Sequence, residues 1–165
     1  MLGRQPKLLT TMKKLFFIAA ALFAAVSFSA CSDEDKDDNL PVTVANLAGT
    51  WQITHSEGWV IYSDGTREDY SEDFPARDGW WTVEYREDGT ATETSYNDSG
   101  SATIEESFTY TISGTTLTES RSYENNCYEI KSLSKNNLIL FLKGEDLEGK
   151  DQGQKYEYTY TYKRI

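Results

Sequence analysis

Residues 156–162 read Tyr-Glu-Tyr-Thr-Tyr-Thr-Tyr. Successive side chains of a β-strand point to opposite faces. This spacing therefore sets Tyr156, Tyr158, Tyr160 and Tyr162 on one face, with Glu157, Thr159, Thr161 and then Lys163 on the other. The same period of two recurs upstream. Trp81, Val83 and Tyr85 share a face opposite Thr82, Glu84 and Arg86, and Ile104, Phe108, Tyr110 and Ile112 form a stripe interrupted by Glu106. No stretch carries a sustained 3.6-residue apolar period, so helix content is expected to be low.

The turns fall between these runs. Glu87-Asp88-Gly89 separates the Trp81 strand from a return over 90–96, and Ser113-Gly114-Thr115 separates the Phe108 strand from a return over 116–123. Cys127 to Leu133, Lys135-Asn136-Asn137 and Leu138 to Lys143 read as a third hairpin. An opening strand around Gly49 to Glu57 and a short one at Trp59 to Tyr62 bring the total to eight or nine. A longer loop or lid is expected between Ile61 and Asp78. All 11 Tyr and all four Trp lie after residue 46, and Pro75 is the one proline there, a composition that suits strands. Consecutive hairpins must close on themselves or leave edges bare. The expected fold is all-β, a single antiparallel up-and-down barrel of about eight strands over residues 47–165; a two-sheet β-sandwich is the alternative.

The first 46 residues are of another kind. Lys13 and Lys14 run into an uncharged segment from Leu15 to Phe28, 14 residues long, where a spanning helix needs about 20. A basic start, a short apolar run and a small-residue end make a secretory signal peptide over 1–30, with Met1 or Met12 as the start. Residues 31–46 are expected to form a tether, because Ser32-Asp33-Glu34-Asp35-Lys36-Asp37-Asp38 has no apolar side chain to bury. Of the 27 acidic and 16 basic residues, all the acidic ones and 12 of the basic ones follow residue 30, a net −15 for 31–165. Such a balance argues against binding to a phosphate backbone, so no nucleic-acid partner is expected.

Ser29-Ala30-Cys31 resembles a bacterial lipobox. That resemblance implies acylation of Cys31, cleavage before it and attachment to a membrane through lipid chains such as palmitate. The acidic run beside Cys31 resembles the surface-export signal of Bacteroidota lipoproteins, which implies an outer-membrane lipoprotein displayed at the cell surface. Leu47-Ala48-Gly49-Thr50-Trp51 resembles the Gly-x-Trp motif of lipocalins and lipocalin-like bacterial lipoproteins. In that family the Trp plugs the closed end of the barrel and a late basic residue covers its ring. The resemblance thus gives Gly49, Trp51 and Arg164 structural roles, with Lys163 as the alternative cation.

Catalytic chemistry has few carriers. His55, the sole histidine, has no nucleophile at motif spacing, and no Gly-x-Ser-x-Gly elbow exists. Cys127 is the one thiol left once Cys31 is acylated, and reads as a small buried hydrophobe. A single His and two Cys cannot build a Cys/His zinc cluster. The acidic runs 64–73 and 144–151 lack EF-hand spacing and read as solvated. No metal, no cofactor and no enzymatic activity are expected. The aromatics are the better lead: Trp59, Trp80, Trp81 and Tyr85 are the candidate ligand-binding residues. The expected function is binding of a small, partly apolar ligand in the barrel mouth under the 62–78 loop. The alternative is a filled barrel serving as a structural module or meeting a protein or glycan.

Overall fold

The computed structural model describes residues 39–75, 79–146 and 153–165. The signal peptide, Cys31 and the acidic run 32–38 lie outside the described residues, as do 76–78 of the expected lid and 147–152 of the second acidic loop.

One short helix, α1 (Val44–Leu47), precedes nine strands: β1 (Gly49–Ile61), β2 (Arg67–Asp73), β3 (Trp80–Tyr85), β4 (Thr90–Tyr96), β5 (Ala102–Ser113), β6 (Thr116–Ser120), β7 (Asn125–Leu133), β8 (Asn137–Glu145) and β9 (Lys155–Arg164). Each pairs antiparallel with its neighbour from β3 to β9, and β9 returns to β1. Eight strands, β1 and β3–β9, therefore close an up-and-down barrel, and β2 is an extra strand on the upper half of β1. Closure removes the bare edges that an open meander would leave.

Two expectations are corrected here. The short strand at Trp59 is the continuation of β1, which runs unbroken for 13 residues. Gly58 interrupts the apolar pattern because the Glu157 carbonyl of β9 occupies the space a Cβ would need. The 62–78 segment is not a loop throughout, since it contains β2. Arg-Glu-Asp-Tyr-Ser-Glu-Asp shows no apolar alternation because six of its seven residues are exposed, and an edge strand with water on both faces needs none.

A bulge in β1 matters for the interior. The register with β9 slips between Ile53 and His55, so the inward side chains change from odd-numbered to even-numbered positions. Below the bulge Trp51 and Ile53 fill the barrel; above it Ser56 and Gly58 face inward and leave space. The lower half is solid, built from Leu47, Trp51, Ile53, Val83, Ala91, Leu117, Leu133, Leu138 and Leu140, all buried. Each buried leucine stabilises the fold by about 2 kcal/mol relative to an exposed one.

The floor is closed by the chain's entrance and its end. Leu40 N–H donates to the Leu133 carbonyl at 2.7 Å, and Leu40, Val42 and Val44 pack against the core, so residues 40–46, expected to belong to the tether, are part of the barrel floor. Thr43 caps α1, its hydroxyl accepting from Asn46 N–H at 3.2 Å. Trp51 Nε1 donates to the Leu47 carbonyl at 2.8 Å. The Arg164 guanidinium lies 4.1 Å from the Trp51 ring centroid. It donates to the carbonyls of Lys135 at 2.7 Å, Ala48 at 2.6 Å and Asn46 at 2.7 Å. Gly49, at φ +134°, stands where a Cβ would run into that guanidinium, so the glycine of the motif makes room for the arginine.

Candidate functional site

The space above the bulge is divided by Tyr160 into two cavities. The larger, about 560 Å³, is lined by Ser56, Tyr70, Phe74, Trp80, Trp81, Tyr96 and Tyr160 among others. Strand pairing creates it. β3 pairs with β1 only over Gly49–Gln52, and β2 takes the same edge of β1 over His55–Ile61. No pairing joins β2 to β3 among the described residues, so the wall parts between them.

Aromatic rings line that gap. Trp81 points inward, its Nε1 donating to the Tyr162 hydroxyl at 3.2 Å, and Phe74 meets it edge-on at 5.0 Å between centroids. Trp80, on the opposite face of β3, stacks on its cross-strand partner Tyr96 at 4.1 Å and 11°. Tyr160 approaches Trp81 edge-on at 6.4 Å. Burial raises the Tyr70 and Tyr160 phenols above their usual range, so both are neutral donors and acceptors at neutral pH.

The second cavity, about 360 Å³, lies on the β6–β9 side and includes Glu93, Arg121, Tyr128, Tyr156, Tyr158 and Tyr160 in its lining. Its polar element is a charge cluster inside the barrel. Arg121 Nη2 reaches Glu93 at 2.8 Å and Glu119 at 2.9 Å, and Nη1 reaches Glu106 at 3.0 Å. The guanidinium carbon sits 4.2 Å from the Phe108 ring centroid. Glu119 Oε1 accepts from the Tyr85 hydroxyl at 2.5 Å, and Glu106 Oε2 accepts from Tyr123 at 3.0 Å. Glu106 Oε1 is buried with no partner among the described residues. Burial works against the Arg121 charge, but the neighbouring carboxylates outweigh it and hold the pKa above the ordinary range. Burial raises Glu119 above the usual carboxyl value, opposed by Arg121 and Tyr85.

The candidate residues read from the sequence separate into three places. Trp80 and Trp81 meet at the larger cavity. Tyr85 is sunk in the closed lower core and touches the charge cluster from below through Glu119. Trp59 stands on the outer wall with the Arg67 guanidinium 4.8 Å from its ring centroid, over a surface hollow shared with Phe141 and Glu157. Cys127 is exposed, contrary to the expected buried hydrophobe, because Tyr128 and Ile130 take the inward positions of β7. His55 is on the outer face too, its Nδ1 2.6 Å from Asp73 Oδ1. No group of three His, Cys, Asp or Glu side chains that could hold a metal ion exists among the described residues.

Sequence reasoning did not single out Tyr70, Phe74 or Tyr96, nor the charge cluster. One signal for the cluster was present: Glu106 interrupts an inward stripe, a position where a charge needs a partner inside the barrel.

A closed barrel of about eight strands either fills with side chains or leaves room for one small ligand; here the lower half is filled and the upper half carries two cavities. The family model for the lipocalin-like domain matches residues 47–140, and the chain belongs to that family. Among solved structures the chain is similar to the bovine lipocalin allergen Bos d 2, at 14% identity over 75% of this chain and 76% of that one, TM-score 0.44. It is also similar to bovine odorant-binding protein in complex with a selenium-containing odorant, at 15% identity over 82% and 78%, TM-score 0.43. A third likeness is to the same bovine protein with its natural ligand, at 16% identity over 81% and 77%, TM-score 0.42. No curated protein matches the chain.

Proposed function

We propose that this is a lipid-anchored envelope lipoprotein whose barrel mouth binds a small, partly apolar ligand without catalysing a reaction. The observation that carries the ligand reading is the aromatic-lined cavity of about 560 Å³ where β2 and β3 part. Its size falls within the range of small-molecule sites, and its walls are mostly apolar with a few polar groups. Each 100 Å² of apolar ligand surface buried there contributes about 2.5 kcal/mol. Membership of the lipocalin-like family supports the same reading.

The anchor rests on the sequence: a basic start, an apolar run and Ser29-Ala30-Cys31 in that order. Acylation at Cys31 holds the protein to the membrane, and the acidic run 32–38 directs it to the outer face of the outer membrane. One observation favours a second activity on the outer wall. Trp59 and Phe141 border a shallow hollow of about 340 Å³ beside Glu57 and Glu157, a surface suited to stacking on a sugar or meeting a protein.

The test is native mass spectrometry of the full chain, purified in detergent and incubated with an extract of envelope lipids and glycans. One small adduct per chain is expected, lost in W81A and retained in W59A. A chain that stays empty throughout overturns the carrier reading; an adduct lost only in W59A moves the site to the outer wall.

A further inference from the structure

From the composition of the second cavity we infer that the ligand bound at the mouth is an amphiphile with a cationic amine head, received between the tyrosine ladder of β9 and the carboxylates around Arg121. The inference rests on the reading of the barrel mouth as a ligand site, and it names the chemistry that site selects.

The charges inside the barrel do not balance. Arg121 is the single cation of the cluster, and Glu93, Glu106 and Glu119 all lie within 3.0 Å of it. Leaving aside Glu119, whose burial favours the neutral acid, two carboxylates still face one guanidinium. Of these carboxylates Glu93 borders the cavity itself. Glu124 adds a further carboxylate to the cavity lining.

An anionic ligand has no receptor here. Arg121 Nε and Nη2 donate to Glu119, Nη2 also to Glu93, and Nη1 to Glu106, while the Phe108 ring lies against the guanidinium. A fatty-acid or phosphate head would meet occupied donors and excess negative charge. A cation meets the opposite: carboxylate oxygens below, and around it the rings of Tyr128, Tyr156, Tyr158 and Tyr160. Tyr156 and Tyr158 stack at 5.4 Å, and Tyr160 lies 6.1 Å from Tyr158 and 6.3 Å from Tyr128. The π faces of such rings attract an ammonium group, and the more so where water is excluded. Tyr160 borders both cavities. An amine head beside Arg121 therefore leaves an apolar tail directed toward Trp81.

Three probes with one body and different heads test the inference: 2-phenylethylammonium, 2-phenylethanol and 3-phenylpropanoate. Their binding to the full chain in a non-ionic detergent is measured by calorimetry and tryptophan quenching. The ammonium is expected to bind roughly tenfold more tightly than the alcohol, as a charge-assisted contact gives, and the carboxylate most weakly. In E93Q and E124Q, checked for unchanged circular dichroism, the ammonium should fall to the level of the alcohol while the alcohol is unaffected. Equal binding of all three heads, or a preference for the carboxylate, overturns the amine inference and leaves the mouth as a ligand site. Failure of all three to bind overturns both readings.

Discussion

Arg164, half-buried at the edge of the floor, and Glu119, buried within the barrel, are two polar residues on which the surroundings act in opposite ways. Arg164 satisfies three backbone carbonyls that the floor would otherwise leave bare, and covers the Trp51 ring. R164A is expected to lower stability by about 1–3 kcal/mol, because it leaves three backbone acceptors, two of them part-buried, without their donor as well as removing a ring contact. R164K should recover only part of this, since an ammonium cannot imitate the planar fork. Urea unfolding monitored by tryptophan fluorescence checks both, and a loss below about 0.5 kcal/mol for R164A would show that the floor does not depend on it. Glu119 is 2% exposed, and burial raises its folded-state pKa. A group of this kind contributes stability that is fully present below its unfolded pKa of about 4.3 and is lost as pH rises through the folded value. The stability of the wild type relative to E119Q should therefore be greatest below about pH 4 and fall toward neutrality. Urea titrations across that interval decide the matter; a difference that grows with pH would contradict the burial argument.

Among the elements, β2 differs most from its neighbours. It is bonded to β1 alone, six of its seven residues are exposed, and it stands outside the closed ring. Its amides are expected to exchange with solvent roughly a hundredfold faster than those of β8 and β9, which are paired on both sides. Mass-spectrometric hydrogen exchange resolves these segments, and equal protection would mean that β2 is part of the cooperative barrel. The contrast with β9 also explains which elements could be read in advance. Tyr156 to Tyr162 alternate because one face of β9 looks into the barrel throughout, so periodicity alone defines the strand. β2 has no such constraint, and its charged residues carry no period. β1 falls between these cases: the bulge after Ile53 breaks the alternation, and Gly58 conceals the continuity of the strand.

At the scale of the whole molecule, the barrel class follows from counting hairpins and asking where their edges go, and the family match and the β1–β9 pairing agree with it. The mouth was less legible. Trp80 and Trp81 could be singled out because adjacent strand residues face opposite ways. Tyr70, Phe74 and Tyr96 come to the same cavity only through the parting of β2 from β3, a tertiary event with no local pattern. The ion cluster joins Glu93, Glu106 and Glu119 from three strands with Arg121 from the turn after β6, so only Glu106, breaking an apolar stripe, was visible in one dimension. The position of Leu40 on Leu133 has a bearing on the anchor. The chain joins the barrel at the sealed floor, at the end opposite the mouth. From Cys31 to Asn39 the backbone can span at most about 25–30 Å, and β1 alone rises about 40 Å. Under the proposed anchoring, the lipid is therefore tied to the sealed end of the barrel by a tether shorter than β1, and the mouth stays free of the anchor.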